Sequence, residues 1–318
     1  MKVVVLGAGA LGSILAGHLS RAGEDVTLIA RGERAAYLEK NGITITGVAE
    51  FNARCPIMTD PKELSEADVL IVAVKTYDMD AAISSVAHVR FSSVVSVQNG
   101  VKVSEQLAEV FGKPNTVGST AFFIGEMSPG GDVRFTVNGG FFIGELPEGL
   151  SDRVLDMAEM LQNSGINVEA VANIQTLQWS KFVVWAGATT LALLTRQENY
   201  KFLSDPDSAL ICARIMREVA AVADKSGILL ENSGPYPVKD VVSGTEEEAV
   251  LALNELGAIY EANSLDHRMS ALQDLERGRR LEIDETLGYA VAEARRLSIP
   301  APTLETCYSL LSGINRYL

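Results

Sequence analysis

The 318-residue chain predicts an α/β fold, with a doubly wound N-terminal domain over 1–172 followed by an all-α C-terminal domain over 173–318. Three observations carry that expectation. Short β-branched runs alternate with helical periodicity through the first half, the pattern of a parallel sheet covered by helices. A glycine cluster marks the first strand-to-helix junction. Beyond Asn173 strand signals fade and helical spacing dominates.

The first element pair is the most informative. In "KVVVLGAGALGSILAGHLSRAGEDVTLIAR" (2–31), Val3 to Leu6 suit a buried parallel strand, and Leu11, Ile14, Leu15, His18 and Leu19 follow helical spacing. Gly7, Gly9 and Gly12 form G-x-G-x-x-G between them. In that context the glycines supply a tight turn, close approach of a pyrophosphate to backbone, and close helix–strand packing, so the domain is expected to be Rossmann-type. The helix N-terminus adds N–H donors and partial positive charge. At the end of the second strand, where NAD sites usually place an acid, the chain has "LIARGER", with Arg31 and Arg34. A guanidinium pairs with a 2′-phosphate, which favours NADPH over NADH. The competing reading makes these arginines solvated surface charges, and Glu33 between them weakens their field.

Further strands are expected at "DVLIVAVK" (68–75) and "SVVSVQNG" (93–100). Both end in polar residues, Lys75 and Thr76 in one case, Gln98 and Asn99 in the other, where a doubly wound sheet holds its ligand. Gly-punctuated runs over 115–145 predict hairpins extending that sheet. A helix near 151–164 and a strand near "INVEAV" close the domain, with the boundary at 170–175.

Helices are expected over 174–195, 207–227, 245–262, 283–297 and 302–316. Turn chemistry separates them at "SDP" (204–206), "ENSGPYPV" (231–238) and "SIPAP" (298–302). One residue is out of place: Lys181 opens the uncharged run Phe182 to Leu194. Burying an ammonium ion is costly unless it is paired or loses its proton. Either Lys181 snorkels at a helix end, or it is a proton donor set against a pocket. A second concentration of polar groups, "HRMSALQDLERGRRLEID" (267–284), reads either as a solvated charged segment or as part of a site.

Composition narrows the function classes. Lys plus Arg total 27 against 41 Asp plus Glu, a net charge of −14, which disfavours nucleic-acid binding. Cys55, Cys212 and Cys307 lack close spacing, as expected of free thiols in a reducing compartment. His18, His88 and His267 are too scattered to suggest a metal site. No signal-peptide layout follows Met1, and the apolar run after Lys181 is shorter than the ~20 residues of a membrane span. A cytoplasmic protein without membrane partners is the expectation.

Taken together, "GAGALG" (7–12), Arg31, "VAVKTYD" (72–78), "VQNG" (97–100), "QWSK" (178–181) and "ALQDLERGRRLEID" (271–284) resemble the 2-dehydropantoate 2-reductase (ketopantoate reductase) family, in family order and over nearly the whole chain. The resemblance implies NADPH-dependent reduction of a 2-oxo acid to a 2-hydroxy acid, with 2-dehydropantoate to (R)-pantoate, a step of pantothenate biosynthesis, as the family reaction. It implies cofactor contacts at Gly7, Ala8, Gly9, Ala10, Leu11, Gly12, Arg31, Lys75, Asn99 and Glu282. Lys181 and Glu282 match the catalytic pair, and Asn99 and Ser270 match substrate-binding positions. The expected partner is a small 2-oxo acid, with assembly as a homodimer left open.

One departure stands out. The family usually carries asparagines four and eight residues after the lysine, and here those positions hold Trp185 and Thr189. At ~3.6 residues per turn they still share Lys181's stripe, so both are candidate substrate contacts. An indole has one donor and no acceptor, which puts the family's usual substrate in question. Two alternatives remain: a 3-hydroxyacid dehydrogenase-like enzyme, and a catalytically silent NADPH-binding or sensor protein.

Overall fold

The first unit is built outward from β1 (Lys2–Leu6), whose Val3, Val4 and Val5 have no solvent exposure. The computed structural model describes residues 1–232, 236–265 and 267–318; part of the break expected at 231–238 lies outside the described residues. After β1 come α1 (Ala10–Arg21), β2 (Asp25–Ile29), α2 (Gly32–Asn41), β3 (Ile43–Gly47), β4 (Phe51–Ala53) and β5 (Ile57–Met58). They are followed by β6 (Glu66–Val72), α3 (Met79–Ser85), β7 (Arg90–Ser96), α4 (Lys102–Phe111), β8 (Val117–Met127), β9 (Val133–Glu145), α5 (Asp152–Asn163) and β10 (Val168–Ala170).

Five strands form a parallel sheet in the order β5-β2-β1-β6-β7. The chain winds outward from β1 to β5, then returns to the other side of β1 to place β6 and β7. That reversal creates a topological switch point at the C-terminal ends of β1 and β6, the position where open α/β sheets bind ligands.

The β8–β9 hairpin departs from expectation. It does not extend the parallel sheet but belongs to a second one, ordered β10-β9-β3-β4 with β8 on the free side of β9. β9 runs parallel to β3 at its start (Val133 opposite Ile45) and parallel to β10 at its end (Phe141 opposite Val168). The hairpin itself is a local feature, whereas β9's outer partners come from segments far away in sequence. α1 touches both sheets; Gly17 lets Ile43 approach within 3.2 Å of where a Cβ would stand. One core therefore serves both layers.

The second compact unit takes in Gly100–Lys102 and Thr176–Leu318, the first comprising Met1–Asn99 and Val103–Gln175. Its helices are α6 (Ile174–Thr195), α7 (Asn199–Ser204), α8 (Pro206–Lys225), α9 (Val238–Ser243), α10 (Glu246–Asn263), α11 (Ser270–Glu276), α12 (Leu287–Arg296) and α13 (Pro302–Asn315). α6 is apolar around most of its circumference and is buried from Phe182 to Leu193, as a central helix must be. Gly187 brings it against α8: an added Cβ would stand 2.8 Å from Cys212 Sγ. Ends are set by capping chemistry. Asp205 accepts from the Ser208 N–H at 2.8 Å with Pro206 at the first turn, and Thr245 and Glu248 form a capping box. α12 begins at Leu287 rather than near 283, because 281–286 are held as turns by contacts described below.

His18 lies inside the first core, edge-on to Phe51 and Phe135. Its Nδ1 meets the Ser164 carbonyl at 2.9 Å and so carries the proton, while Nε2 is buried without a hydrogen-bond partner among the described residues. Burial pushes its pKa below the usual imidazole value; the Ser164 bond opposes this, and Arg21 adds a smaller downward push. The unfolded chain therefore takes up a proton before the folded one does. His18's stabilising contribution is full above pH ~6.5 and is lost as pH falls below that value. Thermal denaturation is expected to show Tm falling between pH 7 and 5, with a shallower slope in His18→Leu; an identical slope in the variant would refute the assignment.

Candidate active site

In the first unit, a set of groups gathers at the C-terminal ends of the parallel strands. Gly7 leaves β1 with φ +111, and an added Cβ there would sit 2.8 Å from the Val74 nitrogen. The turn is thus pressed against the strand end of β6, with Gly7 N–H bonded to Ile29 O and Ala73 N–H to Leu6 O. A Cβ at Gly12 would overlap the Gly7 carbonyl oxygen, so this glycine lets α1 start directly on the turn. Gly9 is different, since a Cβ there would meet nothing within 4 Å. It is the N-cap of α1, has no side chain to cap the helix, and no acid occupies the first turn. Ala8, Gly9, Ala10, Leu11 and Gly12 therefore surround a helix N-terminus whose backbone faces open space beside Gly9. Such a cradle fits a dinucleotide pyrophosphate.

The polar residues expected around it fall at the same edge. Arg31 immediately precedes α2, makes no side-chain capping bond and is exposed. Lys75 and Asn99 occupy equivalent positions just past the ends of neighbouring strands, three residues beyond the register pair Val72–Ser96. Gln98 ties these two ends together: its side-chain amide donates to the Val74 carbonyl at 2.8 Å and accepts from Ser96 Oγ at 2.8 Å. The sequence marked Gln98 only as a polar strand end; its cross-strand bond is a tertiary fact. Arg34, read as a companion of Arg31, instead turns inward onto the glycine turn.

In the second unit, α6 carries Lys181 half-buried, and burial lowers its ammonium pKa to about 8. Trp185, one turn on, is 8 % exposed and stacks on Phe182 with centroids 6.2 Å apart, Phe182 in turn meeting Trp179 edge-on. Thr189 is fully buried, and its hydroxyl has no hydrogen-bond partner among the described residues. Both residues thus belong to the helical core as well as to Lys181's stripe.

The "ALQDLERGRRLEID" segment resolves into α11 and a turn. Ser270 opens α11 and is exposed. Glu282 is half-buried between Leu281 and Ile283, each 1 % exposed and packed in the core. Its backbone is fastened on both sides: the Leu281 N–H donates to Asn315 Oδ1 at 2.8 Å, and the Thr286 hydroxyl donates to the Glu282 carbonyl. Sequence reasoning missed Asn315 and Thr286: Asn315 reaches Leu281 from the end of α13, and Thr286 bonds back within an irregular turn that carries no helical period. Among the described residues, no group of His, Cys, Asp and Glu could hold a metal ion, and no helix is long and apolar enough to cross a membrane.

A glycine turn at the switch point of a doubly wound sheet, in a chain that also carries a helical unit with a desolvated lysine, defines a protein of the nucleotide-binding α/β class. The chain matches the ketopantoate reductase PanE/ApbA model over residues 3–148 and the C-terminal model of that family over 173–315. It belongs to the ketopantoate reductase family. A 2-dehydropantoate 2-reductase from Pyrococcus abyssi is 28% identical over 98% of this chain and 97% of its own. A PanE/ApbA family ketopantoate reductase structure from Ralstonia eutropha JMP134 superposes with TM-score 0.82 at 25% identity, covering 99% of each chain. D-mandelate dehydrogenase, in its complex with NADH and anilino(oxo)acetate, shares the fold with TM-score 0.84 at 19% identity over 99% of each chain.

The two glycines separate stability from ligand binding. Gly12→Ala is expected to lower Tm sharply, because α1 must move off the turn. Gly9→Ala is expected to leave Tm within a degree or two yet weaken dinucleotide binding at least tenfold, roughly what one lost charge-assisted contact costs. Calorimetry and fluorescence titration measure the two; a Gly9→Ala protein with unaltered binding would show that the open space beside Gly9 is not a ligand cradle.

Proposed function

We propose that this protein reduces a 2-oxo acid to a 2-hydroxy acid with NADPH, with 2-dehydropantoate to (R)-pantoate as the family reaction to be tested first. The observation that carries this reading is Lys181, an ammonium on an otherwise uncharged helix whose pKa is brought to about 8 by burial. A structural lysine gains nothing from desolvation, whereas a proton donor gains a pKa matched to its working range. Family membership over both halves of the chain supports the same assignment.

The residues divide the work. Backbone N–H groups of the Gly7–Gly12 turn hold the pyrophosphate, Arg31 receives the 2′-phosphate, and Lys75 and Asn99 bind near the nicotinamide ribose and the substrate. Bound NADPH supplies the hydride. Lys181 stabilises the negative charge that develops on the carbonyl oxygen and donates the proton that completes the alcohol. Glu282, on a turn whose backbone is held by Asn315 and Thr286, offers a carboxylate to the site, and Ser270 offers a hydroxyl to the substrate. Trp185 replaces an amide with an indole, so the side chain of the preferred acid is less polar than the family position would otherwise accept, while Thr189 is enclosed in the helical core.

Lys181→Ala is expected to lower kcat about 10²- to 10⁴-fold, with NADPH affinity little changed. Because the protonated amine is the donor, kcat/KM is expected to hold below pH 8 and to fall as pH rises through about 8. Steady-state kinetics across pH measure both, and unchanged turnover in the variant would rule out the assigned donor. A panel of 2-oxo acids against 2-dehydropantoate tests the substrate. Oxidation of 3-hydroxy acids without reduction of any 2-oxo acid would move the protein to a different dehydrogenase class, and tight NADPH binding without turnover would make it a sensor.

A further inference from the structure

Arg34 has the chemistry expected of a phosphate reader, but its guanidinium is already committed. Nε donates to the Ala8 carbonyl at 3.0 Å, Nη2 to Ser13 Oγ at 3.0 Å, and Nη1 to the Gly131 carbonyl at 2.6 Å. Ser13 Oγ in turn donates to the same Ala8 carbonyl at 3.2 Å. The guanidinium also lies over the Tyr37 ring, 5.2 Å from its centroid, and the Tyr37 hydroxyl donates to Asp132 at 2.8 Å. Arg31, three residues earlier, is exposed. The two arginines of "ARGER" therefore occupy opposite situations, one facing solvent and one locked between the glycine turn and the β8–β9 hairpin turn.

The consequence follows from peptide geometry. In a planar trans peptide the C=O of Ala8 and the N–H of Gly9 point in opposite directions. Holding the Ala8 oxygen from one side aims the Gly9 N–H to the other, and the space where a Gly9 side chain would stand is open. A charge-assisted bond to that oxygen also polarises the peptide and strengthens the N–H as a donor. Gly9 has little conformational restraint of its own, so an external clamp is what selects one orientation.

We propose that Arg34 is a positioning residue for the cofactor turn. It fixes the Ala8–Gly9 peptide so that the Gly9 N–H is presented to the pyrophosphate, and it leaves recognition of the 2′-phosphate to Arg31. This inference rests on the NADPH reading given above. It predicts a division of labour: losing Arg34 weakens NADPH and NADH alike, whereas losing Arg31 weakens NADPH alone.

The test uses full-length Arg34→Met, Arg34→Lys and Arg31→Ala. Amide hydrogen exchange of the cofactor-free protein reports the turn, and fluorescence titrations with NADPH and with NADH report binding. Arg34→Met is expected to speed exchange at Ser13, whose N–H bonds to the Gly9 carbonyl at 2.9 Å, roughly tenfold and to raise both dissociation constants by a similar, roughly tenfold factor, leaving their ratio unchanged. In kinetics the loss falls on KM for NADPH rather than on kcat. Arg34→Lys, which keeps the charge but not the fork, is expected to recover part of the loss and guards against failure of the methionine variant to fold. A selective loss of NADPH binding on changing Arg34 would overturn the proposal by making it the phosphate reader. Unchanged exchange, or faster exchange with unchanged affinity for both nucleotides, would overturn it as well. If wild-type protein bound neither nucleotide, the NADPH reading would fail on its own, and exchange in the cofactor-free protein would still decide whether Arg34 orders the turn.

Discussion

The contact between Gly12 and the Gly7 carbonyl is the constraint on which the first unit depends. No side chain fits between them, so α1 begins directly on the end of β1. That start places the helix against both sheets, with His18 reaching Ser164 and Gly17 admitting Ile43. It also leaves the N–H groups of the first helical turn uncapped and facing outward at the switch point. Fold and ligand cradle thus share one cause: the packing that closes the core is the packing that exposes the donors. Around this turn the supporting bonds come from backbone and side chains distant in sequence, Arg34 from α2 and Gln98 across β6 and β7.

In the second unit the corresponding constraint is the burial of α6. A helix enclosed on most sides offers almost no position where a charge is tolerated, and Lys181 occupies one near its beginning. Desolvation there disfavours the ammonium, which costs stability and brings its pKa down to about 8. The same enclosure explains Trp185 and Thr189. On a stripe that lies within the core, an indole stacked on Phe182 contributes apolar burial that an asparagine would not. The change from the family pattern is therefore a change in packing as well as in hydrogen-bonding capacity. Glu282 shows a complementary arrangement, with an irregular turn made firm by Asn315 and Thr286 so that an acid is held without a helix around it.

What the sequence determined by itself was local. Gly7, Gly9 and Gly12 between a β-branched run and an apolar helical stripe define the strand–turn–helix unit, because each glycine answers a steric demand of that turn. Asp205–Pro206 and the helical periods define the second unit, because capping and amphipathic spacing act within a few residues. Lys181 stood out for the same reason, a charge adjoining an apolar run. Tertiary structure alone decided the rest. It moved the β8–β9 hairpin into a second sheet, since β3 and β10 are separated from β9 by long stretches of chain. It also gave two arginines three residues apart different roles, since the carbonyls of Ala8 and Gly131 meet Arg34 only once α2, the glycine turn and the hairpin turn are assembled. Periodicity reports which face of an element is apolar, but the partner of a hydrogen bond across a hundred residues is fixed only by the packing that brings both ends together.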